Sequence, residues 1–437
     1  MTSERPNGPP AGPVPPPADP ASSPSSATAP RDPAPRGREP GPPQHDADAR
    51  APRPSAERRG DLAVVLTGGG ARAAYQVGLL RWLARRFPDL RFDVVTGVSA
   101  GAINASMLAA HSGPFPEAAA ELDRLWRGLT TEDVFRVDTR SLAGHVAHWG
   151  RRLVSGGVEE ESARGGRGLV DTAPLDELLH RALAPIGPGG EILRIGENVE
   201  SGRLGAFAVT TLDYATGQTI TWIEGRDVEP WERPNRRSIA TRIRVRHVLA
   251  SAALPLFFPA VQVDGGWHGD GGVRHTAPLS PALHLGADRI LAVSTRYIRT
   301  REEENLPETV GYPPPAQILG HLMKAVFLDV LDQDVRRLEL VNRVIDTLPP
   351  DERGTLRHVD ILALRPSVDL GRLAADHEPT LPPVFRFLTR GLGTRETRSP
   401  DFLSLLLFEP AYLRELMDIG EADAEAKAEE IERLVGG

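Results

Sequence analysis

The sequence predicts an α/β fold built around a mainly parallel sheet. The first apolar run, LAVVL at 62–66, is short and rich in β-branched residues, which is typical of a buried strand. A helical pattern follows at 71–87, and a second buried strand is predicted from Phe92 to Thr96, before a helical pattern at 102–110. Because this order of strands and helices favours right-handed crossovers, the sheet is expected to be mainly parallel.

The same patterns predict further elements along the chain. A helix at 169–183 has Asp171 or Thr172 as its N-terminal cap. Two apolar segments, 204–212 and 219–223, flank YATG and predict a hairpin. The remaining predicted elements are helices at 115–129, 141–154, 316–347 and 400–434, strands at 288–295 and 360–364, and a mobile loop from Gly156 to Gly168.

The first 60 residues differ in composition from the rest of the chain. They hold 17 of the 41 prolines, and their only large apolar side chains are those of Met1 and Val14. Such a segment cannot bury enough apolar surface to offset the conformational entropy lost on folding. We therefore predict that residues 1–60 form a disordered, Pro-rich leader.

The composition excludes several kinds of site and partner. The chain has no Cys, so disulfides, thiolate metal ligands and a Cys nucleophile are excluded. A formal net charge of −8 argues against nucleic acid as a partner, since that function needs a net basic face. The N-terminus lacks the apolar region of a secretory signal, and no stretch reaches the ~18 apolar residues of a membrane span, so we expect a cytoplasmic protein.

The strongest local motif is Gly97-Val98-Ser99-Ala100-Gly101, which lies between a predicted strand and a predicted helix. A serine in this setting occupies a sharp turn that only small neighbours permit, so its hydroxyl projects above the sheet edge. The N-terminus of the following helix would favour a developing negative charge there. The alternative is a serine that only caps the helix in a tight turn.

A second motif, Gly68-Gly69-Gly70-Ala71-Arg72, follows the first predicted strand. Successive glycines let backbone N–H groups converge on an anion, either a phosphate or an oxyanion. No lysine lies nearby, which excludes a nucleotide P-loop, and Ala73 replaces the third glycine of a dinucleotide-binding loop. The pairing with a serine turn favours an oxyanion site.

A third motif is Asp270-Gly271-Gly272. A serine nucleophile needs a base, and an Asp held in a glycine-flanked turn can present its carboxylate at close range. In isolation this tripeptide usually marks only a turn. Its significance comes from the other two motifs.

Four segments together resemble the bacterial patatin-like phospholipase family, and the resemblance covers about 61–298. These segments are GGGARAAYQVGLL, GVSAG, ASAALPLFFPAV (250–261) and DGGVRHTAPLSPALHLGADRI (270–290). The resemblance implies a three-layer α/β/α sandwich and a lipolytic serine acyl hydrolase that needs no metal or organic cofactor. It also implies a catalytic dyad without histidine, in which Ser99 is the nucleophile and Asp270 its partner. The implied oxyanion loop is Gly68, Gly69, Gly70 and Arg72, and Gly97 and Gly101 flank the nucleophile.

The resemblance also implies a division of the chain. After the leader at 1–60, we expect a catalytic domain at 61–298 and a mostly helical C-terminal extension at 299–437 that packs on it. Two positions depart from the family pattern: Ala73 stands where glycine is frequent, and Thr276 where asparagine is frequent. Neither departure removes a reacting group.

Two alternatives remain open at this point. The order Ser…Asp…His along the chain is compatible with a Ser–Asp–His triad of the α/β-hydrolase type, with His275 or His284 as the base. The other alternative is a lipid-binding protein that keeps the fold without turnover. The scattered histidines show no metal-ligand spacing, so no metal site is expected.

The expected substrate is a phospholipid or another acyl ester. Five arginines without an intervening acid precede the apolar residues Leu254, Leu256, Phe257 and Phe258: Arg236, Arg237, Arg242, Arg244 and Arg246. A basic edge beside an apolar lip would suit an anionic lipid surface, so the sequence allows peripheral membrane contact. An alternative is a solvated face in an arginine-rich protein. The oligomeric state is not predicted.

Overall fold

The computed structural model describes residues 61–136, 168–306, 312–327, 330–380 and 401–436. The predictions for the leader at 1–60, for the helix at 141–154 and for the loop up to residue 167 fall outside the described residues.

A ten-stranded sheet forms the centre of the described structure. Its strands are β1 (Leu62–Leu66), β2 (Val94–Val98), β3 (Ala206–Asp213), β4 (Thr219–Gly225), β5 (Glu232–Arg233), β6 (Arg236–Ala240), β7 (Val261–Val263), β8 (Gly266–Asp270), β9 (Arg289–Val293) and β10 (Asp360–Leu364). The order is β10-β9-β1-β2-β3-β4-β6-β5, and β8 pairs with β3 and β7. Neighbours from β10 to β3 are parallel, whereas β4 is antiparallel to β3. The predicted α/β class with a mainly parallel sheet is confirmed.

Both faces of this sheet are buried. On β1, Leu62, Val64 and Leu66 belong to one hydrophobic core, and Ala63 and Val65 belong to a second. Because successive side chains of a strand point to opposite faces, the two cores lie on opposite sides of the sheet. The structure therefore has the three-layer α/β/α arrangement that the resemblance implies.

Helices supply the two outer layers and the connections. The α-helices are α1 (Ala74–Arg86), α2 (Ala100–Ala110), α3 (Phe115–Gly128), α4 (Thr131–Val134), α5 (Ala173–Ala182), α6 (Leu193–Glu200), α7 (Val245–Ser251), α8 (Ser280–His284), α9 (Arg301–Glu304), α10 (Pro315–Phe327), α11 (Val330–Thr347), α12 (Leu370–His377), α13 (Asp401–Leu406), α14 (Pro410–Ala426) and α15 (Ala428–Gly436). Short 3-10 helices span Gly70–Ala73, Gly271–Arg274, Pro350–Glu352 and Glu378–Thr380.

Several elements differ from the sequence prediction. β2 spans Val94–Val98 rather than 92–96, so it ends directly before Ser99. Strands β5 to β8 were not predicted because they are short and interrupted by Arg, Gly and His, so that neither an apolar run nor clean alternation marks them. The hairpin of β3 and β4 and the strands β9 and β10 are confirmed.

The C-terminal helix α14 packs against α1, the first α-helix along the chain. A Cβ atom on Gly78 of α1 would lie 1.8 Å from the carbonyl oxygen of Met417 on α14. In the same way, a Cβ atom on Gly420 of α14 would lie 2.1 Å from the carbonyl oxygen of Tyr75. Glycine therefore permits close contact of the two helix backbones. The boundary between a catalytic domain and an extension at residue 298 stays a prediction.

None of the helices in the described part of the chain combines the length and the apolar character that crossing a membrane requires.

Candidate active site

Ser99 occupies the sharp turn between β2 and α2. Its φ of 57° and ψ of −137° are unusual for a residue with a side chain. A Cβ atom on Gly97 would lie 2.6 Å from the Ala102 Cα, and one on Gly101 would lie 2.3 Å from the Leu66 carbonyl oxygen. The Ser99 side chain makes no capping hydrogen bond to α2. The turn thus has the predicted strand–turn–helix form, and Ser99 is not a capping serine.

Ser251, the last residue of α7, fixes the backbone of this turn by a hydrogen bond. The Ser99 backbone N–H donates to Ser251 Oγ at 3.0 Å, and the Ser251 hydroxyl donates to the carbonyl oxygen of Thr210 on β3 at 2.6 Å. Ser251 is fully buried. It was not among the predicted site residues, although it lies within the ASAALP segment on which the family resemblance partly rests.

Asp270 reaches the same sheet edge at the end of β8. The last residue of β2, Val98, pairs with Thr210 of β3, and Asp270 pairs with the next residue, Thr211. β4 pairs with the other edge of β3. β2 and β8 therefore pair with the same edge of β3, one after the other along its length. The register therefore places Ser99, which follows Val98, beside Asp270.

The Asp270 carboxyl group is completely buried, and its pKa is raised to about 7. The cause is desolvation, since burial disfavours the charged form. The nearby Ser99 hydroxyl and the Gly272 N–H, which donates to Oδ1 at 2.8 Å, partly offset this rise. Among the described residues, no donor meets ordinary hydrogen-bond geometry at Oδ2. Oδ2 is therefore a buried acceptor in a carboxyl group that lies near the Ser99 hydroxyl.

The glycine loop, residues 68–72, lies against the turn that contains Ser99. A Cβ atom on Gly68 would lie 2.8 Å from the Ser99 Cβ. The Gly68 carbonyl oxygen accepts a hydrogen bond from the Thr295 hydroxyl at 2.7 Å. Since N–H and C=O point in opposite directions across a trans peptide, this bond turns the Gly69 N–H away from Thr295. The φ values of Gly69 and Gly70, 153° and 55°, favour glycine. Thr295 was also not among the predicted residues.

The donors of Arg72 are used within the protein. Its backbone N–H donates to the Gly69 carbonyl oxygen at 3.1 Å. Its guanidinium group donates to Ser404 Oγ at 2.7 Å and to Asp401 Oδ1 at 2.6 Å. By contrast, no hydrogen bond between described residues uses the N–H of Gly68, Gly69 or Gly70. Arg72 thus fixes the loop, and the three glycine N–H groups have no partner among the described residues.

An apolar pocket lies beside Ser99. It is lined by Gly69, Gly70 and Ser99 and by apolar side chains that include Ile103, Trp126, Leu129, Leu175, Leu254 and Phe258. Leu254 and Phe258, interpreted from sequence as part of an apolar lip, therefore line this pocket, whereas Leu256 is 70% exposed. The pocket suits an aliphatic chain attached to a group at Ser99.

No hydrogen bond between described residues joins either candidate triad histidine to Ser99 or Asp270. His284 hydrogen-bonds to the Ser280 carbonyl oxygen at 2.8 Å and stacks on Trp231 at 4.4 Å. It lines a surface cavity with Asp93 at the start of β2, the opposite sheet edge from Ser99. Burial lowers the pKa of His275 to about 4, and no hydrogen bond between described residues joins it to Asp270. Among the described residues, no cluster of His, Asp and Glu is placed to hold a metal ion.

Two arginines of the arginine-rich run are paired with acids from other segments. Arg242 pairs with Glu200 at 2.6 Å and with Glu224 at 2.9 Å, and Arg244 pairs with Asp264 at 2.8 Å. All three acids lie outside 236–246, so the run looks more basic in the sequence than it is in the fold. Peripheral membrane contact therefore stays a prediction, without support from these two arginines.

Comparison with known proteins identifies one family. A model of the family described as patatin-like phospholipase matches residues 64–283, just over half of the 437-residue chain. No curated protein matches the sequence.

Three solved structures are among those similar to the chain. VipD from Legionella pneumophila is 15% identical with a TM-score of 0.30, over 70% of this chain and 61% of VipD. Human GIVD cytosolic phospholipase A2, in complex with methyl gamma-linolenyl fluorophosphonate, is 12% identical with a TM-score of 0.39, over 86% and 59% of the two chains. The type III effector ExoU of Pseudomonas aeruginosa is 15% identical with a TM-score of 0.28, over 82% and 54%. The chain thus spans about three fifths of the first two structures.

Proposed function

Because the chain belongs to the patatin-like phospholipase family, we propose that it is a serine acyl hydrolase that cleaves acyl esters of phospholipids with a Ser99–Asp270 dyad. The observation that carries the proposal is the buried carboxyl group of Asp270, which lies near the Ser99 hydroxyl and whose Oδ2 accepts no ordinary hydrogen bond from the described residues. A base with a pKa near 7 is better matched to an alcohol than an ordinary carboxylate is.

In the first step, Ser99 Oγ attacks the ester carbonyl carbon and its proton passes to Asp270 Oδ2. The negative charge moves to the carbonyl oxygen, where the N–H groups of Gly69 and Gly70 stabilise it. The tetrahedral intermediate then loses the alcohol part of the lipid, which takes the proton from Asp270 as the C–O bond breaks. An acyl-enzyme remains, with its aliphatic chain in the apolar pocket.

In the second step, water attacks the acyl-enzyme and gives a proton to Asp270. The new tetrahedral intermediate collapses, Ser99 Oγ leaves and takes this proton, and a fatty acid is released. Asp270 thus acts as a base and then as an acid in each half of the reaction. Each half returns Asp270 to its starting protonation state, and the second half also restores the Ser99 hydroxyl.

The test of the proposed function is the release of fatty acid from phospholipid vesicles by the wild-type protein. A serine-reactive fluorophosphonate is expected to stop the release, and mass spectrometry is expected to locate the adduct on Ser99. A short-chain nitrophenyl ester serves as the comparison substrate. Protein that binds vesicles but neither turns over any ester nor takes up the probe would be a lipid-binding protein, which would overturn the proposal.

The dyad and the triad are separated by replacing the two histidines. His275→Ala and His284→Ala are each expected to keep kcat/KM within about threefold of the wild-type value, because no hydrogen bond between described residues joins either histidine to Asp270 or Ser99. The measurement is nitrophenyl ester hydrolysis by the two purified variants. A thousandfold loss in either one, with an unchanged melting temperature, would favour the triad.

Ser251 is expected to act as a positioning residue. Ser251→Ala removes the hydrogen bond to the Ser99 N–H, and we expect kcat to fall about fivefold with little change in KM, as for a lost hydrogen bond of about 1 kcal/mol. The matched control is Ser106→Ala, which removes another fully buried hydroxyl, one that donates to the Ile103 carbonyl oxygen on α2. Equal losses in the two variants would reduce Ser251 to a structural residue.

The finer features of the protein are part of the same proposal. We infer that residues 61–298 form the catalytic domain, that the C-terminal helices pack on it, and that the protein acts from the cytoplasm on lipid surfaces that it contacts peripherally. Fractionation of cells into cytosol and membrane, before and after a high-salt wash, tests the last two points.

A further inference from the structure

Part of the apolar pocket comes from a segment far outside the family match. We name residues 401–408 the C-terminal wall; they follow the matched region, 64–283, by more than 100 positions. All eight residues of this segment are buried. Leu405, Leu406 and Phe408 line the same pocket as Ser99. One side of the pocket is therefore built by this chain's own C-terminal part.

The C-terminal wall touches the glycine loop directly. A Cβ atom on Gly70 would lie 2.1 Å from the Leu405 carbonyl oxygen, so the two backbones are in contact. Asp401 binds Arg72 of the same loop at 2.6 Å and Lys324 of α10 at 2.5 Å. Because Arg72 and Asp401 are both almost fully buried, this pair fixes the segment against the loop rather than against solvent.

The far end of the C-terminal wall is fixed by aromatic contacts. The Phe408 ring stacks on Trp126 at 6.5 Å and meets the Phe135 ring edge-on at 6.4 Å. The Phe408 carbonyl oxygen accepts a hydrogen bond from the Thr131 hydroxyl at 3.2 Å. Trp126 itself donates to Asn104 on α2 at 2.7 Å. Phe408 therefore has a defined position in the pocket surface rather than a loose one.

We propose that the C-terminal wall selects the acyl chain, with Leu406 and Phe408 setting the length of chain that the pocket accepts. This inference rests on the proposed function, since it concerns the acyl group that Ser99 would receive. The pocket lining contains no ionisable side chain among the described residues, which suits a hydrocarbon chain. In such a pocket one methylene changes the specificity constant by about tenfold or more.

The experiment measures kcat/KM for nitrophenyl esters of saturated acids from butanoate to palmitate. Phe408→Ala enlarges the pocket, and the palmitate-to-butanoate ratio is expected to rise about tenfold. Leu406→Phe fills it, and the same ratio is expected to fall about tenfold. The matched control is Leu413→Ala, which truncates a fully buried leucine of α14 that does not line the pocket, and its ratio is expected to stay at the wild-type value.

The outcomes separate this inference from the proposed function. If wild-type protein hydrolyses neither these esters nor phospholipid vesicles, the proposed function fails. If wild-type protein is active and neither pocket variant changes the ratio, or if Leu413→Ala changes it equally, the C-terminal wall does not select the chain. Because Phe408→Ala can lower stability, the folded fraction is counted by fluorophosphonate labelling, and Leu406→Phe provides the second, opposite test.

Discussion

Replacing Ser99 by Ala is expected to lower kcat for phospholipid and nitrophenyl esters on the order of a millionfold. The variant lacks the oxygen that forms the acyl-enzyme, and Asp270 then has no proton to accept. Any remaining rate would come from the N–H groups of Gly69 and Gly70 and from substrate binding. Fatty acid release and fluorophosphonate labelling measure the loss, and vesicle binding by the same variant is expected to be unchanged.

Ser99→Gly separates the loss of chemistry from the loss of structure. The φ of 57° at Ser99 strains any residue with a side chain by about 1–3 kcal/mol, and glycine relieves this strain. Ser99→Gly is therefore expected to be as inactive as Ser99→Ala but to have a higher melting temperature than that variant. More than a hundredth of wild-type activity in either variant would assign the nucleophile to another residue.

The meeting of the two glycine-containing motifs could be predicted from the sequence. The GGG loop follows β1 and GVSAG contains the end of β2, and these strands are parallel neighbours, with Leu66 paired to Gly97. Loops that follow adjacent parallel strands lie at the same edge of a sheet. Strong apolar runs and glycines marked both strands, so local patterns were sufficient.

The position of Asp270 could not be predicted from local patterns. It depends on β8, a five-residue strand containing glycine and histidine that pairs with β3 exactly where β2 has ended. Neither apolar alternation nor a helix marks this strand, and a DGG tripeptide by itself indicates only a turn. The other two motifs and the resemblance to the family, rather than the strand pattern, therefore pointed to this residue.

Contacts that span the whole chain were the least predictable. Arg72 and Asp401 are 329 positions apart, and nothing around either residue indicates the other. The ion pairing of the arginine-rich run could not be predicted from the sequence either. Arg242 and Arg244 look unpaired in sequence because their acidic partners lie on other strands and loops. Charge pairing is set by tertiary contacts, so counts along the sequence overstate a basic edge.

Asp270→Asn is expected to lower kcat/KM at pH 8 about ten-thousandfold. Asn keeps the size of the side chain and can still accept the Gly272 N–H, but it cannot take the Ser99 proton. Because burial raises the pKa of Asp270 to about 7, wild-type kcat/KM is expected to rise tenfold per pH unit below pH 7 and to level off above it. The variant is expected to lose this rise. Burial lowers the pKa of His268, and it lowers the pKa of His275 to about 4, so His275 stays neutral near pH 7.

The stability of the wild-type protein is expected to fall over the pH range in which its activity rises. Since the folded pKa of Asp270 lies above its unfolded value of 3.8, the native state holds a proton that the unfolded state has lost between about pH 4 and pH 7. The free energy of unfolding of the wild type therefore falls by about 1.4 kcal/mol per pH unit in this window because of Asp270 alone. Asp270→Asn lacks this loss, so it is expected to be more stable than the wild type at pH 8. Urea unfolding of both proteins at pH 5 and pH 8 measures the difference. A variant that is inactive and also less stable at pH 8 would indicate a structural aspartate rather than a catalytic base.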